Sequence, residues 1–260
     1  MKKYVNLFVF VFMIGACLSQ GRAQTKSAVS YKNPVVDIAM PDPTVIKAAD
    51  GYFYVYATES TRNVPIMKSK DLVEWTYCNT AFTNKTRPRF EPKAGIWAPD
   101  INYINGKYVL YYAMSVWGGE QTCGIGVATA NSPQGPFTDH GKMLRSNEIG
   151  VQNSIDPSLL QYEGRNYLVW GSFRGIYVIE LTADGLSIMP GAKKKRIAGT
   201  AFEAVYIHKH DDYYYMFASI GSCCQGVKST YKVVVGRSKK VWGPYKDKTG
   251  KPMLKNGYSL

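Results

Sequence analysis

Four segments of this 260-residue chain repeat one pattern, and that recurrence limits the fold more than any other feature of the sequence. They begin at Asp42 (DPTVIKAADGYFYVYATES), Asp100 (DINYINGKYVLYYAMS), Asp156 (DPSLLQYEGRNYLVWGS) and Glu203 (EAVYIHKHDDYYYMFASIG). Each runs from an acid through a short strand, a turn on Gly or Asp and an aromatic strand to a few small residues. The acids are 58, 56 and 47 residues apart. A second hairpin follows each unit, as in VPIMKSKDLVEWTY and GIYVIELTADGLSIMPG. Two hairpins make a four-stranded sheet, and a period near fifty residues points to the blades of an all-β propeller. The competing fold, a β-sandwich with accidental similarity, does not account for the ordered return of acid, turn and aromatic strand.

Composition agrees with this reading. The chain has 20 Tyr and 24 Gly, suited to strands and tight turns, and no long stretch has a helical apolar period. Residues 1–23 stand apart: Lys2 and Lys3 precede an apolar run from Val5 to Ala16, and Gly21 and Ala23 offer a small-residue cleavage site. The run is too short to cross a bilayer, so it reads as a signal peptide ahead of a propeller domain spanning 24–260, with no transmembrane segment. A cut before Cys17 would instead leave a lipid anchor. Either way the protein is expected to be exported, to the periplasm or beyond.

Loss of the leader removes three cations and no acids, lowering the net charge from +13 to +10. The run Lys193-Lys194-Lys195-Arg196 reads as a solvated hairpin end rather than a nucleic-acid site. An exported basic protein is better matched to a polyanionic wall polymer. Four cysteines remain, Cys78, Cys123, Cys223 and Cys224; none has zinc-site spacing, and the pairing of the adjacent Cys223 and Cys224 is left open.

In a propeller, the innermost strands start around one mouth of a central channel. Acids at those starts, Asp42, Asp100, Asp156 and Glu203, are therefore expected to converge. Gathering like charges is costly, so the arrangement points to function. Paired carboxylates serve general acid–base chemistry, most commonly glycoside hydrolysis. Glu203, among Phe202, Ala204 and Val205, suits the proton donor, because apolar neighbours raise a carboxyl pKa. Asp42 and Asp156 each precede a proline, which biases them toward extended backbone. One would be the base, and the other would keep Glu203 protonated. Trp97 and Trp117 flank the second inner strand and offer rings for a sugar face.

The motifs PDPTVI, GIWAPDI, SIDPSL and FEAVYI, in that order, resemble glycoside hydrolase family 43. The stretch ASIGSCCQGVKSTYKVVVGRS and its GPY turn resemble the arabinan endo-1,5-α-L-arabinosidases of that family. The resemblance covers about residues 33–255. It implies a five-bladed propeller that inverts the anomeric centre, with Asp42 as base, Glu203 as acid and Asp156 tuning the acid and orienting substrate. It also implies sugar contacts near Asn153, Ser154, Ser172 and the two tryptophans, Trp97 and Trp117; Asp100, placed at the same mouth by the repeat, is expected to bind substrate with them.

Four blades are recognisable, and a fifth is expected after Leu260, making the chain read as C-terminally incomplete. No cofactor is required for the chemistry. A channel calcium is implied by the resemblance, but the histidine that would help hold it belongs to the fifth blade, and His208 and His210 read as surface residues. The expected partner is an arabinose- or xylose-containing polysaccharide. The alternatives are a β-xylosidase or α-L-arabinofuranosidase on the same scaffold, and a propeller that binds sugar without turnover.

Overall fold

The computed structural model describes residues 30–260, so the leader and Cys17 lie outside the described residues. Blade 1 is built from β1 (Thr44–Lys47), β2 (Phe53–Tyr56), β3 (Pro65–Ser69) and β4 (Trp75–Thr80). Blade 2 follows with β5 (Gly95–Ile104), β6 (Lys107–Ser115), β7 (Gly124–Ala130) and β8 (Thr138–Arg145). Blade 3 has β9 (Ser158–Tyr162), β10 (Arg165–Trp170), β11 (Ile176–Glu180) and β12 (Lys195–Ala198). Blade 4 has β13 (Glu203–His210), β14 (Tyr213–Ile220) and β15 (Lys232–Ser238), its return segment reduced to isolated bridges at Lys246. Every sheet is an antiparallel meander in sequence order. The fold is an all-β propeller, as the repeat predicts.

Local chemistry sets the hairpins. Asn105 and Gly106, both at positive φ, form the two-residue turn between β5 and β6, the backbone that matches strand twist and that Asn-Gly adopts at low cost. Aromatic strands then fill the spaces between blades. Tyr54, Tyr56 and Ile66 of blade 1 pack on Ile101, Leu110 and Tyr112 of blade 2. Ile104, Val109 and Tyr111 meet Leu168 and Trp170 of blade 3. Leu160, Val169 and Val178 meet Val205, Ile207, Met216 and Val234 of blade 4. A buried aliphatic or aromatic side chain contributes about 1.5–3 kcal/mol, so each interface outweighs any single polar tie across it. One face of blade 4 stays open to solvent, with Tyr206, Phe217, Val233 and Val235 exposed.

The inner-strand starts share a backbone signature that corrects the sequence register. Asp42, Ala98, Asp156 and Ala204 all have positive φ, between 42° and 56°. They recur 56, 58 and 48 residues apart, and they mark equivalent points. Asp100 therefore lies two residues past the Ala98 kink, within β5, while Glu203 sits one residue before the Ala204 kink. The expectation of extended backbone at Asp42 and Asp156 is also corrected. A following proline disfavours the right-handed helical region, and Asp tolerates the left-handed alternative through its short polar side chain.

Asp100 is an inter-blade tie rather than a sugar contact. Its Oδ2 accepts hydrogen bonds from the Leu159 amide of blade 3 (2.7 Å) and from Asn102 Nδ2 (2.7 Å). At the equivalent place in blade 1, Thr44 Oγ1 accepts from the Ile101 amide of blade 2 (3.3 Å). Desolvation pushes the Asp100 carboxyl up to about 6, against the pull of its Leu159, Asn102 and Thr44 donors. That value lies above the roughly 3.9 of an unfolded chain. The native state thus binds an extra proton between the two, and the stabilisation is complete below about pH 4 and lost as pH rises through 6. D100N cannot titrate. Thermal melts should show its deficit relative to wild type shrinking from pH 4 to pH 7; a pH-independent deficit would contradict this assignment.

Candidate active site

The left-handed kinks bring three carboxylates to one mouth. Asp42 is exposed and accepts a hydrogen bond from Thr58 Oγ1 (2.6 Å), just beyond β2. The same Thr58 oxygen accepts from the Ala98 amide (2.7 Å), so the hydroxyl joins Asp42 of blade 1 to the kink of blade 2. Asp156, half-buried, feels both other acids: burial, then the charges of Glu203 and Asp42, raise its carboxyl well above the ordinary range, against the Ala204 amide. Asp100 is not among the charges that shift Asp156 or Glu203.

Glu203 is buried, at 8% exposure, and its Oε2 accepts from Ser172 Oγ (2.6 Å). Ser172 is held in turn by Asn153 Nδ2, which reaches both its hydroxyl (2.9 Å) and its carbonyl (3.1 Å). A bridge pairs Ser172 with Glu203, and the Phe173 amide donates to Phe202 O (2.9 Å), fixing blade 3 against the start of β13. Burial raises the Glu203 carboxyl and the charge of Asp42 adds to the rise, while donors from Ser172 and Tyr231 oppose it. Asp156 and Glu203 therefore both sit where a negative charge is disfavoured.

Three of the expected sugar contacts have other work. Ser154 is fully buried; it donates to Val151 O (2.8 Å) and accepts from Trp170 Nε1 (3.1 Å), so it cannot meet a ligand. Ser172, at 1% exposure, positions Glu203 rather than touching sugar. Asn153 spends its amide on Ser172. The tryptophans fare differently. Trp97 on β5 and Trp117 in the loop after β6 bring their ring centroids to 6.4 Å, and Trp117 is 80% exposed. Gly95 makes room for this: a Cβ there would stand 2.4 Å from the Trp97 indole nitrogen.

The mouth rests on residues that sequence reading did not single out. Glu59, next to Thr58, takes a two-pronged salt bridge from Arg87 and accepts from the amides of Asn63 (2.8 Å) and Ile96 (2.9 Å). Arg87 also donates to Ala94 O (2.8 Å), so the pair clamps the start of β5 beside Trp97. Burial opposes ionisation of Glu59, but the Arg87 and amide donors outweigh it and hold the carboxyl below its ordinary value. Thr58 and Glu59 belong to the YATES segment of the first repeat, where only small residues were read.

Cys223 and Cys224 are disulfide-bonded to each other, whereas Cys78 and Cys123 are free. Among the described residues, no three His, Cys, Asp or Glu side chains are gathered closely enough to hold a metal ion, and His208 and His210 are exposed. No step is assigned to calcium. A cavity of about 650 Å³ lies further along the inner strands, lined by Asn102, Gln161, Tyr206 and Lys209 rather than by the three acids.

The sequence model of glycosyl hydrolases family 43 matches residues 31–259. The chain belongs to this family. It is 39% identical over 233 residues to an extracellular endo-α-(1→5)-L-arabinanase of Bacillus subtilis, spanning 84% of this chain and 71% of that one. It is 36% identical over 248 residues to an extracellular exo-α-(1→5)-L-arabinofuranosidase of Cellvibrio japonicus, spanning 84% and 70%. Among solved structures, a Cellvibrio cellulosa α-L-arabinanase complexed with arabinohexaose superposes with a TM-score of 0.77 at 33% identity, covering 86% of this chain and 78% of that one.

Because the Glu59–Arg87 pair is buried, removing one partner strands a charge. R87M is expected to lower unfolding stability by about 3–5 kcal/mol, read from urea midpoints. The double variant R87M/E59Q should recover part of that loss.

Proposed function

We propose that this family 43 protein is an exported hydrolase of α-1,5-linked arabinan that works by inversion, with Asp42 as general base and Glu203 as general acid. The observation that carries the chemistry is the pairing of a solvent-facing carboxylate with a buried one that is hydrogen-bonded to Ser172. The substrate reading rests on the arabinan-acting relatives of similar sequence and on the arabinohexaose-bound structural neighbour. The exported reading rests on the leader-like residues 1–23 and on the extracellular relatives; no described helix is long and apolar enough to cross a membrane.

In this mechanism a water between sugar and Asp42 gives a proton to the Asp42 carboxylate as its oxygen attacks the anomeric carbon. The glycosidic bond breaks, its electron pair passes to the leaving oxygen, and Glu203 supplies that oxygen with a proton. Asp156 is assigned to tune the acid and orient the substrate; burial and the charges of Glu203 and Asp42 raise its own carboxyl. The exposed Trp117 and the adjacent Trp97 offer rings for an arabinofuranose unit beside the acids. Such a pair must leave space for water, roughly 6.5–9.5 Å between carboxyls.

Linear arabinan is the substrate to test first, with product configuration followed by proton NMR. The first-formed sugar should have the opposite anomeric configuration to the substrate; retention would overturn the mechanism. D42N should reduce turnover by about 10²–10⁴-fold on every substrate. E203Q should lose comparable activity on arabinan but keep most of it on 4-nitrophenyl α-L-arabinofuranoside, whose leaving group needs little protonation.

A further inference from the structure

Beside the start of β5, the β2–β3 and β4–β5 loops gather cations that nothing nearby neutralises. Arg62 Nε donates to Asn84 Oδ1 (3.0 Å), which also accepts from Asn63 Nδ2 (3.1 Å). A terminal nitrogen of Arg89 donates to the Asn84 carbonyl (3.2 Å), so one asparagine holds two guanidinium groups. Arg62, Asn84, Arg89 and Lys93 line a pocket of about 410 Å³. Two other charges that line it are already matched: Arg87 pairs with Glu59, and Glu91 with Arg145. Arg62, Arg89 and Lys93 are exposed and make no salt bridge among the described residues.

The cluster is built rather than loose. The Arg87 amide donates to Thr83 O (2.8 Å) and the Thr83 amide to Thr86 Oγ1 (2.9 Å), closing a turn around Asn84. Pro88 and Pro92 then restrict the backbone on either side of Arg89 and Glu91. The pocket also adjoins the mouth. Ala94 and Met114 line it, and across the β5–β6 register Met114 faces Ile96 while Ala113 faces Trp97. It therefore lies next to the strand positions that present the Trp97–Trp117 pair.

An arabinofuranose unit carries hydroxyls and no charge, so unmatched cations beside these rings offer a neutral chain nothing that a polar side chain would not. Two guanidinium groups on one residue repel each other, and a shared anion relieves that repulsion. Arg62 commits only its Nε and Arg89 one terminal nitrogen, which leaves N–H groups on each to grip a carboxylate. We propose that this pocket is a subsite for a uronic-acid unit, a carboxylated sugar of the polysaccharide that bears the arabinan. The proposal rests on the arabinan reading for the neighbouring chain, whereas the carboxylate contact belongs to the pocket itself.

Binding of trigalacturonate by isothermal titration tests the contact without any turnover. The intact protein should bind it at low salt, with affinity falling as NaCl is added. R62Q/R89Q should weaken binding about three- to tenfold. K93Q, which leaves the Asn84 hydrogen bonds intact, should weaken it by less. In hydrolysis, R62Q/R89Q should raise KM on arabinan still attached to a uronate-bearing backbone and leave KM on neutral linear arabinan unchanged. Absent binding, or binding indifferent to R62Q/R89Q, overturns the proposal. So does an equal rise in KM on both polymers, which would make the arginines merely structural. If inorganic phosphate displaces trigalacturonate at equal concentration, the cluster is a general anion site and the proposal fails. If trigalacturonate binds through Arg62 and Arg89 while no arabinan is cleaved, the carboxylate site stands and the arabinan reading falls.

Discussion

Desolvation of the carboxyls of Asp156 and Glu203, reinforced by the charge of Asp42, is the constraint that the rest of this structure accommodates. Three acids at one mouth favour spreading apart, and the charges of Glu203 and Asp42 both act on Asp156. The chain holds them there with left-handed kinks at the inner-strand starts, a conformation that costs a non-glycine residue about 1–3 kcal/mol. Two of those kinks fall on alanine, at Ala98 and Ala204, where no polar side chain eases the geometry. Backbone strain and charge repulsion thus coincide at the mouth, as expected where structure serves chemistry rather than stability.

The compensation comes from elsewhere in the fold. Apolar cores between successive blades, filled by residues such as Tyr56, Trp170 and Met216, supply the stability that the mouth lacks. Polar ties then give the interfaces their register: Thr44 to Ile101, Asp100 to Leu159, and Ser172 to Glu203 each cross from one blade to the next. The buried Glu59–Arg87 pair fixes the start of β5, and with it Trp97 and the Ala98 kink. In each case one side chain serves both the packing of blades and the aim of a group at the mouth.

Much of this could be read in advance, for identifiable reasons. The repeat of acid, turn and aromatic strand is local, and so are the two-residue turns and the strand alternation that give the blades. Asp42, Asp156 and Glu203 were legible because each begins such a unit. Asp100 misled for the same reason: its local sequence matches, but the kink at Ala98 shows it to be two residues out of register. Ser154 misled because a serine beside the SIDPSL motif looks accessible, while its burial against Trp170 is a tertiary fact. Thr58 and Arg87 act on partners up to 40 residues away in the chain, and no local pattern marks them.

By itself the sequence determined the all-β class, the blade period, the three acids at strand starts and the family 43 motifs, because these depend on neighbours within one hairpin. The tertiary structure alone decided which carboxyl is buried and which faces water. It also decided which serine holds the acid and which merely fills the core. Those properties follow from how one blade packs against the next, since desolvation and hydrogen-bond partners are set by atoms that the local chain does not supply.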